Sequence, residues 1–138
     1  MTTEQRRWAL VSFRLQQAEE SLAEAKCLQA GGMSSRSVIN RAYYAMFYSV
    51  LALLVYEPYS SSKHSGVLGY FNQRFVRTGE IEERFGRALN KAFELRQRSD
   101  YREMADATKE QVDPLVKEAR GFVDTVKELL SRSNPGPL

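Results

Sequence analysis

Arg41, Tyr44 and Tyr48 stand three and four residues apart in a stretch that reads as helix, so their side chains share one face. A guanidinium in line with phenol rings suits a nucleotide, with the rings stacked on a base and the cation on a phosphate. The same pattern serves a tyrosine-rich core or dimer seam in which Arg41 pairs with an acidic residue of another helix. A second group, Lys63-His64-Ser65-Gly66, opens a helical segment. Free amides there, with Lys63 and His64, would hold an anion; alternatively His64 caps or packs locally. The third group is Arg96-Gln97-Arg98-Ser99-Asp100-Tyr101-Arg102. Arg96 and Asp100 are four apart and can pair, and they continue from the apolar face of Ala92 and Phe93, which predicts partial burial. Arg98 and Arg102 need no ligand, because a helix end favours cations through its carbonyl dipoles.

Other chemistry has little to build on. Gly31-Gly32 lacks the Lys-Ser/Thr of a phosphate loop and follows no strand. With one histidine, His64, and one cysteine, Cys27, a zinc site would be made almost wholly of carboxylates; neither a metal nor a cofactor is expected. A serine triad would rest on His64, and Ser65 beside it is too near in sequence to serve. Cys27 has no partner for an internal disulfide and, next to Leu28, reads as a small buried or half-buried residue.

The elements that position these groups are helices. Trp8, Val11, Leu15, Ala18, Leu22 and Ala25 form one stripe of a first helix from about Glu4 to Ala30, stopped by Gly31-Gly32, with Glu19, Glu20 and Glu24 expected to face water. A second helix starts within Ser34–Ser37 and runs to about Tyr56, short of Pro58. It is apolar nearly all round, from Val38, Ala42, Met46 and Leu53 to Tyr43, Phe47 and Leu51, and this predicts a central helix touched by several neighbours or by a second subunit. A third helix is expected from about Lys63 to Arg77, broken by Thr78-Gly79, and a fourth from about Glu80 to near Tyr101. Thr108-Lys-Glu-Gln111 has the form of a capping box. It opens a fifth helix with Pro114 in or just after its first turn and the regular stripe Val112, Leu115, Val116, Ala119, Phe122, Val123, Val126, Leu129 and Leu130. No segment alternates like a strand. The prediction is an all-α, up-and-down bundle of about five helices over residues 1–132, with a flexible tail at 133–138.

The 138 residues fit one domain, with 43% hydrophobic and 27% charged residues, ordinary proportions for a folded domain. No apolar run approaches the roughly 18 residues of a membrane span. Glu19, Glu20 and Glu24 come too early for a secretory signal, so a cytoplasmic protein is expected. The net charge of +3 sits mainly in the middle of the chain, and the last third is acidic. That could bias binding toward an anion, or simply reflect solvated helix faces.

In order, Arg41-Ala-Tyr-Tyr-Ala-Met-Phe47 with Ala52-Leu-Leu54, then His64-Ser-Gly66, then Arg96-Gln-Arg-Ser-Asp-Tyr101, and a late Ala119-Arg-Gly-Phe-Val123, resemble the HEPN family of small helical domains. The resemblance covers roughly residues 5 to 130. It implies a bundle that commonly dimerises and is often encoded with a minimal nucleotidyltransferase, and that acts on nucleotides or RNA. Many members are metal-independent ribonucleases with an arginine, four to six intervening residues and a histidine. Carried over, Arg96 takes the arginine position, but Tyr101 fills the histidine position and a six-residue gap gives Glu103. A phenol with a pKa of about 10 is a poor general base near neutrality. The expectation is therefore a binding module, more consistent with a non-enzyme, in a toxin–antitoxin-like pair with a nucleotidyltransferase-like partner. Arg41, His64 and Arg96 would contact phosphate, Asp100 would orient Arg96, and Tyr44 and Tyr101 would stack or hydrogen-bond. The alternatives are a metal-independent endoribonuclease using Arg96 and His64, and a pure protein-interaction or dimerisation module.

Overall fold

A computed structural model describes residues 1–100 and 107–133. Its first helix, α1 (Thr3–Ala30), starts in a capping box: the Thr2 hydroxyl accepts from the Gln5 amide at 3.1 Å, and the Gln5 side chain accepts from the Thr2 amide at 2.8 Å. It ends where Gly32 turns to φ +67°, a conformation that favours glycine, while Met33 donates back to the Leu28 carbonyl. The chain then reverses into α2 (Ser35–Leu54), capped by the Ser34 hydroxyl. α2 packs along α1 and also touches α4 (Glu83–Ser99), α5 (Lys109–Ser133) and α3 (His64–Phe71), so it is the central helix its sequence predicts. Five α-helices and no strand make up the described residues, an all-α bundle.

Burial follows the stripes. Val11, Leu15, Ala18, Leu22 and Ala25 of α1 meet Val38, Ala42, Met46 and Val50 of α2 in one core, which Phe122, Val123 and Val126 of α5 complete. Helix α5 opens as the capping box requires, with Thr108 and Gln111 each accepting from the other's amide. Pro114 lies inside the helix rather than at its rim. Most of α2's apolar residues, including Tyr43, Phe47, Ala52 and Leu54, are buried within the one subunit; Tyr44, Tyr48 and Leu51 are only half-buried. So a second subunit is not needed to cover this helix's whole girth.

Several expectations need correcting. α3 stops being α-helical at Phe71 and widens into a π-helical turn over Asn72–Val76, with the Arg77 amide bonded to the Asn72 carbonyl. The Thr78-Gly79 break is real, with Gly79 at φ +83°, but α4 starts only at Glu83. Between them Ile81 inserts into the core and its amide donates to the Phe75 carbonyl, so the extended stretch belongs to the loop. Cys27 is exposed, because it lies two residues past Ala25 and therefore round the helix from the buried stripe. Glu19 is only partly open to water: it accepts from Arg120 of α5 at 2.6 and 2.9 Å and from Lys127 at 2.8 Å. The expected tail, apart from Ser133 at the end of α5, lies outside the described residues, as do Tyr101 and Glu103.

Candidate functional site

The middle of α2, the start of α3 and the end of α4 meet at one end of the bundle. Tyr43 and Tyr44 are adjacent on α2 and point to different sides of it, edge to face, with ring centroids 5.3 Å apart. Over both lies the guanidinium of Arg96 from α4, its Cζ 5.4 Å from the Tyr43 ring centre and 5.2 Å from that of Tyr44. Arg41, one turn before Tyr44, covers the same ring at 5.3 Å, so Tyr44 stands between two cations. Tyr48 continues the strip, 5.5 Å from Tyr44.

His64 enters from α3. Its ring lies nearly parallel to Phe47 at 4.1 Å and is stacked on Tyr43 at 5.8 Å, while Tyr44 meets it edge-on at 5.9 Å. Its Nδ1 and the Tyr43 hydroxyl are 2.7 Å apart, a short hydrogen bond. The local packing expected as one reading of His64 is therefore present, and so is its approach to Arg96, since both lie on the same two tyrosines. Burial first, and the nearby Arg96 charge second, push the imidazole pKa below its usual value. Burial raises the Tyr43 phenol well above its ordinary pKa, against the pull of Arg96.

Beside this aromatic group, α2 and α4 enclose a cleft of about 510 Å³ lined by Arg36, Asn40, Arg41, Arg96 and Asp100, with the serines Ser34 and Ser37 at its α2 end. Arg41 is held by the Asn40 side chain at 2.7 and 3.0 Å and reaches Glu24 of α1 at 3.5 Å, the inter-helix acid its alternative reading anticipates. Asp100, expected to be partly buried and paired with Arg96, is instead exposed at the end of α4 and sits 3.5 Å from Arg36. Arg96 differs from these: its Nε is sealed from solvent and has no hydrogen-bond partner among the described residues. An unmatched donor on a cation is costly to bury, and no carboxylate among the described contacts offsets the charge that Arg96 brings to the cleft. A larger cleft of about 840 Å³ between α4 and α5, floored by Phe85, Ala88 and Gly121, contains none of these groups.

The structure thus brings Arg41, Tyr44, His64 and Arg96 together, sets Asp100 at the edge, and leaves Tyr101 outside the described residues. Sequence reading missed Tyr43 as a site residue, and with it Asn40 and Arg36. The one available signal was that Tyr43 and Tyr44 occur as a pair, so that one must face inward wherever the other faces the cleft.

Fold and geometry together define an all-α bundle in which a cleft lined by Arg36, Arg41 and Arg96 lies beside a cluster of aromatic rings. The HEPN domain model matches residues 11–129, nearly the whole chain. A UPF0332 protein of Thermotoga maritima is 39% identical over 121 residues, which cover 88% of this chain and 91% of that protein. Two proteins of Methanocaldococcus jannaschii, each named "Putative toxin", are 40% and 32% identical, over 82% and 87% of this chain and 83% and 81% of their own lengths. The chain belongs to the HEPN family.

Proposed function

We propose that this chain is a non-catalytic RNA- or nucleotide-binding HEPN module that acts as a homodimer with a nucleotidyltransferase-like partner, as one member of a toxin–antitoxin-like pair. The toxin names of two relatives support the biological setting. The observation that carries the binding reading is the guanidinium of Arg96, which lies over Tyr43 and Tyr44, lines the cleft together with Arg36 and Arg41, and is paired with no carboxylate among the described contacts. Guanidinium groups meet phosphate through paired donors, and Arg41 and Arg96 are both gathered on Tyr44. Arg41, His64 and Arg96 contact phosphate in this reading, Tyr44 and Tyr101 stack or hydrogen-bond, and Asp100, rather than orienting Arg96, pairs with Arg36 at the cleft's edge.

The test is retention of a short single-stranded RNA by the parent, by Arg41→Ala and by Arg96→Ala over a range of salt. Binding should weaken as salt rises, because each phosphate contact releases counterions, and each variant should flatten that dependence by about one contact. Tyr101→Ala should weaken binding with the salt slope little changed, since stacking rather than charge is lost. Absence of RNA binding by the parent would leave the protein-interaction reading in place.

A second reading, an endoribonuclease using Arg96 and His64, draws on their shared contact with Tyr43 and Tyr44. It requires His64 to exchange a proton near neutrality. Cleavage in the presence of a chelator, lost in His64→Ala, would favour it over simple binding.

A further inference from the structure

We infer that Tyr43 is a positioning residue that fixes His64 in the tautomer with its proton on Nε2, making His64 a neutral hydrogen-bond donor to an oxyanion held by Arg96. This rests on the binding reading above for the oxyanion, but not for the tautomer.

Tyr43 is fully buried, and its hydroxyl lies 2.7 Å from Nδ1 of His64. A phenol in the core stays protonated, and leaving its hydrogen without an acceptor is costly. Nδ1 is the acceptor the structure supplies among the described residues. If Nδ1 carried the proton instead, it would donate to the phenol oxygen and leave the phenol's own hydrogen buried without a partner. The favoured arrangement therefore has Tyr43 donating and Nδ1 accepting, and the neutral ring then carries its hydrogen on Nε2. Rotation of the ring is opposed by Phe47, parallel at 4.1 Å, and by Tyr43 itself, stacked at 5.8 Å.

The charged group facing His64 is Arg96 of α4, and the titratable groups are Tyr43 and Tyr44 of α2. None of them stabilises an imidazolium. The second cation that a phosphate would otherwise meet is thus replaced by a neutral donor, which avoids repulsion with the nearby Arg96. It also leaves His64 without a free nitrogen to act as base. Asn or Gln at position 64 would supply an N–H donor without a tautomer to control, whereas the histidine depends on Tyr43 for that.

His64 is the sole histidine of the chain, so its ring nitrogens can be read without ambiguity in the tag-free, nitrogen-15-labelled protein. Long-range proton–nitrogen correlation near neutral pH should show Nδ1 as the unprotonated, pyridine-like nitrogen and Nε2 as the protonated, pyrrole-like one. The reverse pattern, or two averaged signals, would overturn the inference whatever the protein does with RNA. In Tyr43→Phe the two nitrogen signals should move toward each other, to the weaker Nε2–H bias of a free neutral imidazole, and affinity for a short RNA should fall about tenfold, the loss of one hydrogen bond to a charged group. Unchanged nitrogen signals in a folded Tyr43→Phe would also overturn it. Failure of the parent to bind RNA would count against the binding reading and leave the tautomer result to stand or fall alone.

Discussion

Arg96 shows how far a residue's role can be separated from its contribution to folding. Its stem is partly buried and its guanidinium lies on two rings, but its Nε has no partner and no carboxylate anchors it among the contacts described. Replacing it by methionine keeps most of the apolar stem and loses the cation–ring attraction, so urea unfolding should report a loss of about 1 kcal/mol. Phe122, fully buried against Phe71 and Phe85, should cost about 3–5 kcal/mol when cut to alanine, because a cavity remains. Equal losses in the two variants would make Arg96 a structural anchor. At this scale the sequence was readable by residue type: Arg41, Tyr44, His64 and Arg96 stand out as polar groups in apolar surroundings. Tyr43 did not, because adjacent helix positions differ by a fixed rotation and nothing in the periodicity says which tyrosine meets the histidine.

Among the elements, α5 is fastened to α1 by more than its stripe. Hydrogen bonds from Arg120 first, then Lys127, hold the Glu19 carboxyl from 4.5 down to about 2, against an opposing effect of burial. Since the folded value lies below the unfolded one, this contribution is complete above about pH 4.5 and is lost as pH falls toward about 2. The groups are about a third exposed, so the screened contribution is about 1 kcal/mol. Glu19→Gln should therefore be less stable than the parent by that amount at about pH 6, and in urea melts the gap should narrow below about pH 4.5 and close toward about pH 2. A constant gap would contradict the linkage. The π-helical turn after α3 makes a second claim. A Cβ on Gly86 of α4 would stand 2.7 Å from the Asn72 side-chain oxygen and 3.2 Å from a Val76 methyl. Asn72 is not free to yield, since its amide donates to the Leu68 carbonyl and to Asn90. Gly86→Ala should lose about 1–3 kcal/mol through overpacking. Gly69→Ala, in α3 with open space at its Cβ, should gain up to about 1 kcal/mol from helix propensity. Helix identities were legible because the stripes are long and regular. The ends of α3 and α4 were not, because a widened turn and a loop isoleucine that dips into the core both preserve apolar spacing.

For the whole molecule, no helix among the described residues is long and apolar enough to cross a membrane. The net charge of +3 is too small to draw a polyanion by itself, so the proposed RNA binding rests on the local gathering of Arg36, Arg41 and Arg96. The proposed homodimer has less apolar surface to bury than the sequence suggested, because α2 is mostly enclosed by its own subunit. A seam on α2 would have to use its half-buried Tyr44, Tyr48 and Leu51. Light scattering at tens of micromolar should give twice the chain mass, and Leu51→Glu should halve it; a parent that is monomeric there would remove the homodimer. The central claim, binding without cleavage, is tested most directly by electrophoresis of an end-labelled RNA after incubation with the protein and a chelator. Native gels should show retardation that weakens as salt rises, while denaturing gels of the same samples show the RNA at full length. Shortened RNA that disappears with His64→Ala, or RNA that is never retarded at low salt, would contradict the account.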